Sequence, residues 1–249
     1  MTRITYQTAS LLATIVGLLR RTSETSNGTR VLMYHDLCDS NSDFELYAIP
    51  ASRFVLNMTE LAEWSRHHQV CFIPFSSSPS QGIAVTFDDG YQSTLRLAAD
   101  VLVSLGIPFH VFVTKEYVMS GDKRYLRESE IRQLTALPGA TVGIHGLSHT
   151  HFPALETSRL RSEMYVARQW LEQLIGKSVD TISYPHGSFD ERVRAEVQNL
   201  GFDAAACSQA GTFSSPLQRF SIPRIDIWAF DRKRAIIQKT RGSWDRLLP

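Results

Sequence analysis

Val85-Thr86-Phe87-Asp88-Asp89-Gly90 is the stretch on which the fold turns. Ile83, Val85 and Phe87 alternate with small or polar residues, the period of a short buried strand. Two carboxylates stand at its end, and Gly90 frees the backbone to turn sharply. Side by side, such carboxylates repel unless a cation keeps one of them ionised. An Asp-Asp-Gly after a strand is also an ordinary solvated turn, so the rest of the chain has to supply the partner. It does so at His145-Gly146-Leu147-Ser148-His149, which follows the apolar strand Val142-Gly143-Ile144.

Outward from these two stretches, strand and helix alternate. Strands are predicted at 31–34, 71–73, 83–87, 109–113, 142–144, 181–184, 204–207 and 222–227, and 38–50 reads as a loop. Phe54, Met58, Leu61 and Trp64 mark one face of a helix that Ser52 can cap. Leu160, Met164, Ala167, Leu171 and Leu174 give the clearest helical period, ended by Gly176. Asp190 can cap a helix bearing Val193 and Val197, and a final basic segment, 230–249, reads as helical at least to Arg241. Alternation of this kind implies parallel strands with crossover helices. The expected fold is α/β, a single-domain irregular (β/α) barrel of seven or eight parallel strands over residues 30–249. Residues 1–29 read as an apolar helix and linker.

The chain of 249 residues is 43% hydrophobic and 20% charged, with a formal net charge of +1. Nothing in that balance points to nucleic acid. Basic clusters at Arg20, Arg21 and Arg30 and at Arg232, Lys233, Arg234, Lys239 and Arg241 read as solvated faces. Cys38, Cys71 and Cys207 show neither CxxC spacing nor a disulfide framework; Cys71 and Cys207 sit in apolar runs and read as buried. Residues 9–21 hold an apolar stretch too short to span a bilayer. It has the length of a signal h-region, yet Arg20 and Arg21 follow at once and no A-x-A site does. An interfacial helix in peripheral contact with a membrane, or a helix that caps the domain, fits as well. A cytoplasmic or membrane-associated location stands ahead of export.

His35, Asp88, Asp89, His145, Tyr184, His186, Arg224 and Asp226 all fall at or near the carboxyl ends of predicted strands. In a parallel barrel those ends share the face where sites are built. The spacing of His145 and His149 places both imidazoles on one side of a helical turn. With one carboxylate they make a three-ligand site that leaves open positions, as catalytic zinc requires.

Thr86–Gly90 (TFDDG), His145–His149 (HGLSH) and Tyr184–Gly187 (YPHG) resemble the first three motifs of the NodB-type polysaccharide deacetylases, carbohydrate esterase family four, over about residues 30–227. The resemblance implies an irregular (β/α) barrel and metal-assisted hydrolysis of an N-acetyl amide. It makes Asp88 the general base and Asp89, His145 and His149 the ligands of a divalent ion, zinc foremost, with an oxyanion-stabilising backbone N–H near His186. Two features depart from that family. The third motif lacks its Arg at Ser183 or Tyr184, and no histidine follows His186 to act as the acid. Val31–His35 is similar to the poly-N-acetylglucosamine deacetylase branch, where an early Tyr-His places its histidine in the site. His35 is therefore the expected acid. Arg224 is expected to hold Asp88, and Asp226 to fix the His35 tautomer. Tyr34, Tyr184, His186 and Trp228 are candidates for contact with a sugar. The implied substrate is an N-acetylated glycan or its precursor. The alternatives are deacetylation or deformylation of a lipid-linked sugar, cleavage of an O-acyl ester, and a carbohydrate-binding barrel with weakened turnover.

Overall fold

Seven parallel strands form one curled sheet, in the order Ala204–Ala206, Thr181–Ser183, Ala140–Ile144, Phe109–Val113, Gly82–Phe87, Thr29–Tyr34 and Ile225–Asp226. The structure, a computed structural model, describes residues 11–13, 28–39, 46–245 and 247. The sheet strands are β1 (Thr29–Tyr34), β4 (Gly82–Phe87), β5 (Phe109–Val113), β6 (Ala140–Ile144), β7 (Thr181–Ser183), β8 (Ala204–Ala206) and β9 (Ile225–Asp226). Most of their residues are buried, which is why they read as near-continuous apolar runs. Around them lie α1 (Ala51–His68), α2 (Ala99–Ser104), α3 (Lys115–Met119), α4 (Glu128–Thr135), α5 (Thr157–Ile175), α6 (Glu191–Asn199) and α7 (Lys233–Thr240). The core cluster runs from Leu32 and Phe87 through Val111 and Ile144 to Met164 and Leu171, so the helix periods and strand runs describe one interior. This is the expected single-domain α/β barrel.

The barrel is completed by an irregular segment rather than by a long last strand. The Cys207 and Ala205 amides donate to the Ile222 and Arg219 carbonyls, and Ile222 donates back to Ala205. A few residues on, β9 pairs with Leu32 and Met33 of β1. Residues 219–227 thus lean on β8 with one end and on β1 with the other. The strand expected over 222–227 shrinks to two residues, because Pro223 interrupts the ladder.

Other differences are local. Residues 71–73 contribute a single bridge, Phe72 to Ile83, and form no strand. The expected loop at 38–50 is bounded by a two-stranded parallel sheet, β2 (Asp36–Cys38) with β3 (Ala48–Pro50). Helix α1 begins directly after Pro50, without a side-chain cap, so Ser52 lies inside it. Asp190 caps α6 as expected, accepting the Val193 amide at 2.7 Å. Cys207 is buried but Cys71 is exposed. Two members of the basic clusters are not on solvated faces: Arg30 is buried against Asp245, and Lys239 is fully buried against Asp231 at 2.6 Å. Of the N-terminal stretch only 11–13 are described, with Leu11 and Leu12 exposed and Ala13 buried. The expectations for residues 9–21 otherwise lie outside the described residues. No described helix is long and apolar enough to cross a membrane.

Candidate active site

The carboxyl ends of the strands open into a cleft of about 370 Å³ lined by Met33, His35, Tyr47, Asp88, Asp89, His145, His149, His186, Gly187, Ser208 and Asp226. Asp88 and Asp89 follow β4 directly. Asp89 takes a left-handed conformation, φ 70°, and Gly90 another, φ 78°. The turn therefore starts one residue earlier than Gly90 suggests. It sends two neighbouring carboxylates to different partners. A left-handed non-glycine residue is an uncommon conformation that concentrates at functional sites.

Asp88 meets Arg224 in a two-point ion pair, 2.7 Å on each carboxylate oxygen, with both side chains buried. The Ser183 hydroxyl donates to Asp88 Oδ2 at 3.0 Å and accepts from Arg224 Nη2 at 2.8 Å. Burial alone would raise the Asp88 carboxyl; Arg224, then His145, outweigh it and hold it well below the usual carboxylate range. Asp88 is thus ionised at neutral pH.

Asp89 faces the two histidines. Its Oδ1 lies 3.2 Å from His149 Nε2 and 3.6 Å from His145 Nε2. That oxygen is buried and makes no hydrogen bond. His145 Nδ1 stands 2.8 Å from the Ser183 carbonyl. A carbonyl only accepts, so Nδ1 carries the proton and Nε2 turns its lone pair to Asp89. Burial lowers the His145 pKa further than Asp88 and Asp89 raise it, so the ring is neutral. One donor atom from each of Asp89, His145 and His149 lies within 4.8 Å of the others. A buried orphan carboxylate oxygen, a neutral imidazole of fixed tautomer and a second imidazole beside them form the donor set that a divalent cation fits.

The two histidines are not brought together by a helical turn. Residues 145–151 are irregular: Gly146 has φ 82° and His149 φ 56°. The His149 ring stacks on Tyr117 and meets His186 edge-on. His186 lies parallel to His151 with ring centres 4.0 Å apart. The Gly187 and Ser188 amides are committed to the Tyr184 and Pro185 carbonyls.

His35 lines the cleft with its ring 4.7 Å from that of Tyr47. The expected hydrogen bond between His35 and Asp226 is not made: His35 Nδ1 and Asp226 Oδ1 are both buried and neither has a hydrogen-bond partner. Burial raises the Asp226 carboxyl, against the pull of His35 and Lys239. Three aromatic candidates fall outside the cleft. Tyr184 is buried, stacks on Phe189 and donates its hydroxyl to the Phe220 carbonyl at 2.9 Å. Trp228 is buried under Lys239, whose Nζ stands 3.8 Å from the ring centre. Tyr34 packs against Phe54 and Phe87 in the core.

Three residues of the site carry little or no sequence signal. Tyr47, 41% exposed at the cleft mouth, hides in the stretch read as a loop. Ser183 is one polar residue in a short buried strand. Glu163 is legible in retrospect: it falls among Leu160, Met164 and Ala167 on the apolar face of α5, where a carboxylate has to be satisfied to be tolerated.

A family profile described as polysaccharide deacetylase matches residues 76–205, more than half of the chain. The chain belongs to the polysaccharide deacetylases. Members of this family are hydrolases of the carbon–nitrogen amide bond of acetylated sugars, and the chain is an enzyme of that class. YxkH of Bacillus subtilis strain 168, named among the polysaccharide deacetylases, is 22% identical over 203 residues, 79% of this chain and 70% of its own. The deacetylase PplD of Streptococcus pyogenes, solved in complex with acetate, superposes with a TM-score of 0.76 at 15% identity, over 86% of this chain and 98% of that one. IcaB from Ammonifex degensii gives 0.72 at 20% identity, over 87% and 98%. These likenesses establish a shared fold.

Proposed function

We propose that this enzyme removes N-acetyl groups from amino sugars of a polysaccharide or its precursor, with a divalent ion, zinc foremost, held by Asp89, His145 and His149. When bound, the ion would polarise the acetyl carbonyl and lower the pKa of a water beside it. Asp88, kept ionised and aimed by the Arg224 fork and the Ser183 hydroxyl, accepts the proton of the attacking water. His35, at the end of the neighbouring strand β1, gives a proton to the departing amine, which an amide nitrogen needs in order to leave. Because the Gly187 and Ser188 amides are already bonded, the reading of an oxyanion donor in this loop narrows to the N–H of His186. Tyr47 offers a half-exposed ring beside His35, suited to the apolar face of a pyranose.

The observation that carries this reading is the shared cleft, with a fully ion-paired Asp88 oxygen 3.7 Å from His145 Nε2 and His35 lining the same cleft at the end of the neighbouring strand β1. A carbohydrate-binding barrel has no use for a buried carboxylate held ionised next to a group of metal donors. The test is acetate release from N-acetylated oligosaccharides by zinc-loaded protein, with Asp88→Asn as the blank. Release by the wild type alone supports the proposal; a loaded wild type that releases no more than the blank overturns it.

A further inference from the structure

We infer that Glu163 is a positioning residue for the metal centre: it clamps the loop between His145 and His149 so that both imidazoles are set before an ion arrives. This rests on the reading of Asp89, His145 and His149 as ligands.

The loop is three residues long, Gly146–Ser148, and its backbone is gripped from two sides. Its carbonyls face α3, where Lys115 N–H donates to Gly146 at 3.4 Å and Glu116 N–H to Leu147 at 2.9 Å. Its amides face α5, where Leu147 N–H and Ser148 N–H both donate to Glu163 Oε2, at 3.0 and 2.9 Å. The Ser148 hydroxyl donates to Glu163 Oε1 at 2.7 Å, and Arg159 pairs with the same oxygen at 3.0 Å. The Glu163 side chain has no exposed surface. Four donors converge on one buried carboxylate, three of them from Leu147 and Ser148, two of the three residues that separate His145 from His149.

A carboxylate is the side chain this arrangement needs. It accepts on both oxygens and donates on neither. Gln would turn an amide N–H₂ against donors on one side, and Ala would leave two part-buried loop amides without their carboxylate partner. The loop released in either way loses the constraint that keeps His149 left-handed and its Nε2 near Asp89. Ligands that are already oriented bind a metal more tightly than ligands that have to be ordered, and losing such outer support lowers metal affinity by about 10–100-fold.

The test is zinc affinity of the purified metal-free chain, measured at 25 °C by competition with a chromogenic chelator. Glu163→Gln is expected to weaken zinc by about 10–100-fold. Glu196→Gln, which removes a carboxylate paired to Arg161 on the neighbouring helix and away from the loop, is expected to stay within about twofold of wild type, so a general loss of stability is separated from a loss at the centre. Ser148→Ala removes a single bond of the clamp and serves if Glu163→Gln fails to fold; it is expected to weaken zinc by about threefold or more, as loss of one hydrogen bond implies. Zinc affinity equal to wild type in a folded Glu163→Gln, or in Ser148→Ala where the former does not fold, overturns the inference while leaving the metal reading intact. A wild-type chain that takes up no zinc overturns both.

Discussion

Asp88 and Asp89 are adjacent and chemically alike, yet their surroundings give them different work. Arg224 neutralises one with a planar fork, and the other is left with an orphan oxygen between imidazoles. The distinction depends on the fork, so charge alone is insufficient. Arg224→Lys is expected to lower kcat by at least about tenfold, since a misaimed base loses much of what general-base catalysis contributes, while zinc content by metal analysis stays at the wild-type level. At the end of the neighbouring strand, His35→Ala is expected to lower kcat by about 10²–10⁴-fold with the same metal content. Near-normal turnover in that variant would remove His35 from the mechanism. Tyr47→Ala is expected to raise KM for an oligosaccharide by about tenfold, the loss of roughly 1.4 kcal/mol of stacking, and Tyr47→Phe to restore it. Equal KM values across the three would show that the ring contributes no platform.

At the scale of elements, β5 carries a pH dependence that the site does not explain. His110 points into the barrel between Thr141 and Thr181, 2.7 and 3.0 Å from its two nitrogens. Gly143 on β6 makes room for it, since a Cβ there would collide with His110 and the Thr181 hydroxyl. Burial lowers the His110 pKa to about 3, with Arg224 in the same direction and Asp88 against it. The unfolded chain binds a proton below about pH 6.5, which the folded barrel refuses until about pH 3. The unfolded state holds more protons in that window, so stability falls as pH drops through it, by roughly 2 kcal/mol at pH 5 from this group. His110→Gln is expected to lack that share of the slope, read as the difference in urea unfolding free energy between pH 7 and 5. Elements were legible where a period ran long enough to be seen. The apolar face of α5 and the run of β4 are examples. Helix α3 and strands β2 and β3 have five residues or fewer and no period to display. The HGLSH spacing is likewise compatible with a helical turn or a loop, and only Glu163 and the start of α3 make it a loop. No residue within the motif carries that information.

At the scale of the molecule, the site's convergence was legible and its wiring was not. A strand-end position announces which face a residue joins, which is why Arg224 and Asp226 could be named beside Asp88. Hydrogen-bond partners depend on where side chains end up in three dimensions, so the expected His35–Asp226 bond is not made and Tyr184 turns to Phe220 and Phe189 instead of the cleft. The basic tail is the clearest case: Lys239 reads as surface charge, yet its Nζ donates to the Asp226 carbonyl and to Asp231, between Trp228 and Trp244. Lys239→Met would leave Asp231 buried without its cation. It is expected to cost about 3–5 kcal/mol of stability, measured as a lowered urea midpoint.

The segment that closes the barrel has one more consequence, in the order of synthesis. Arg224 lies 136 residues downstream of Asp88. A chain still threading out of the ribosome displays its acid pair and both imidazoles well before the guanidinium that tames Asp88 has been translated. Until residues 224–226 have been translated, β1 lacks its outer neighbour and the buried carboxylate lacks its counter-ion. Activity is therefore expected to be withheld until Arg224 exists, and ribosome-bound truncations ending before residue 224 should carry the Asp-Asp and His-His motifs without the ion pair that holds Asp88.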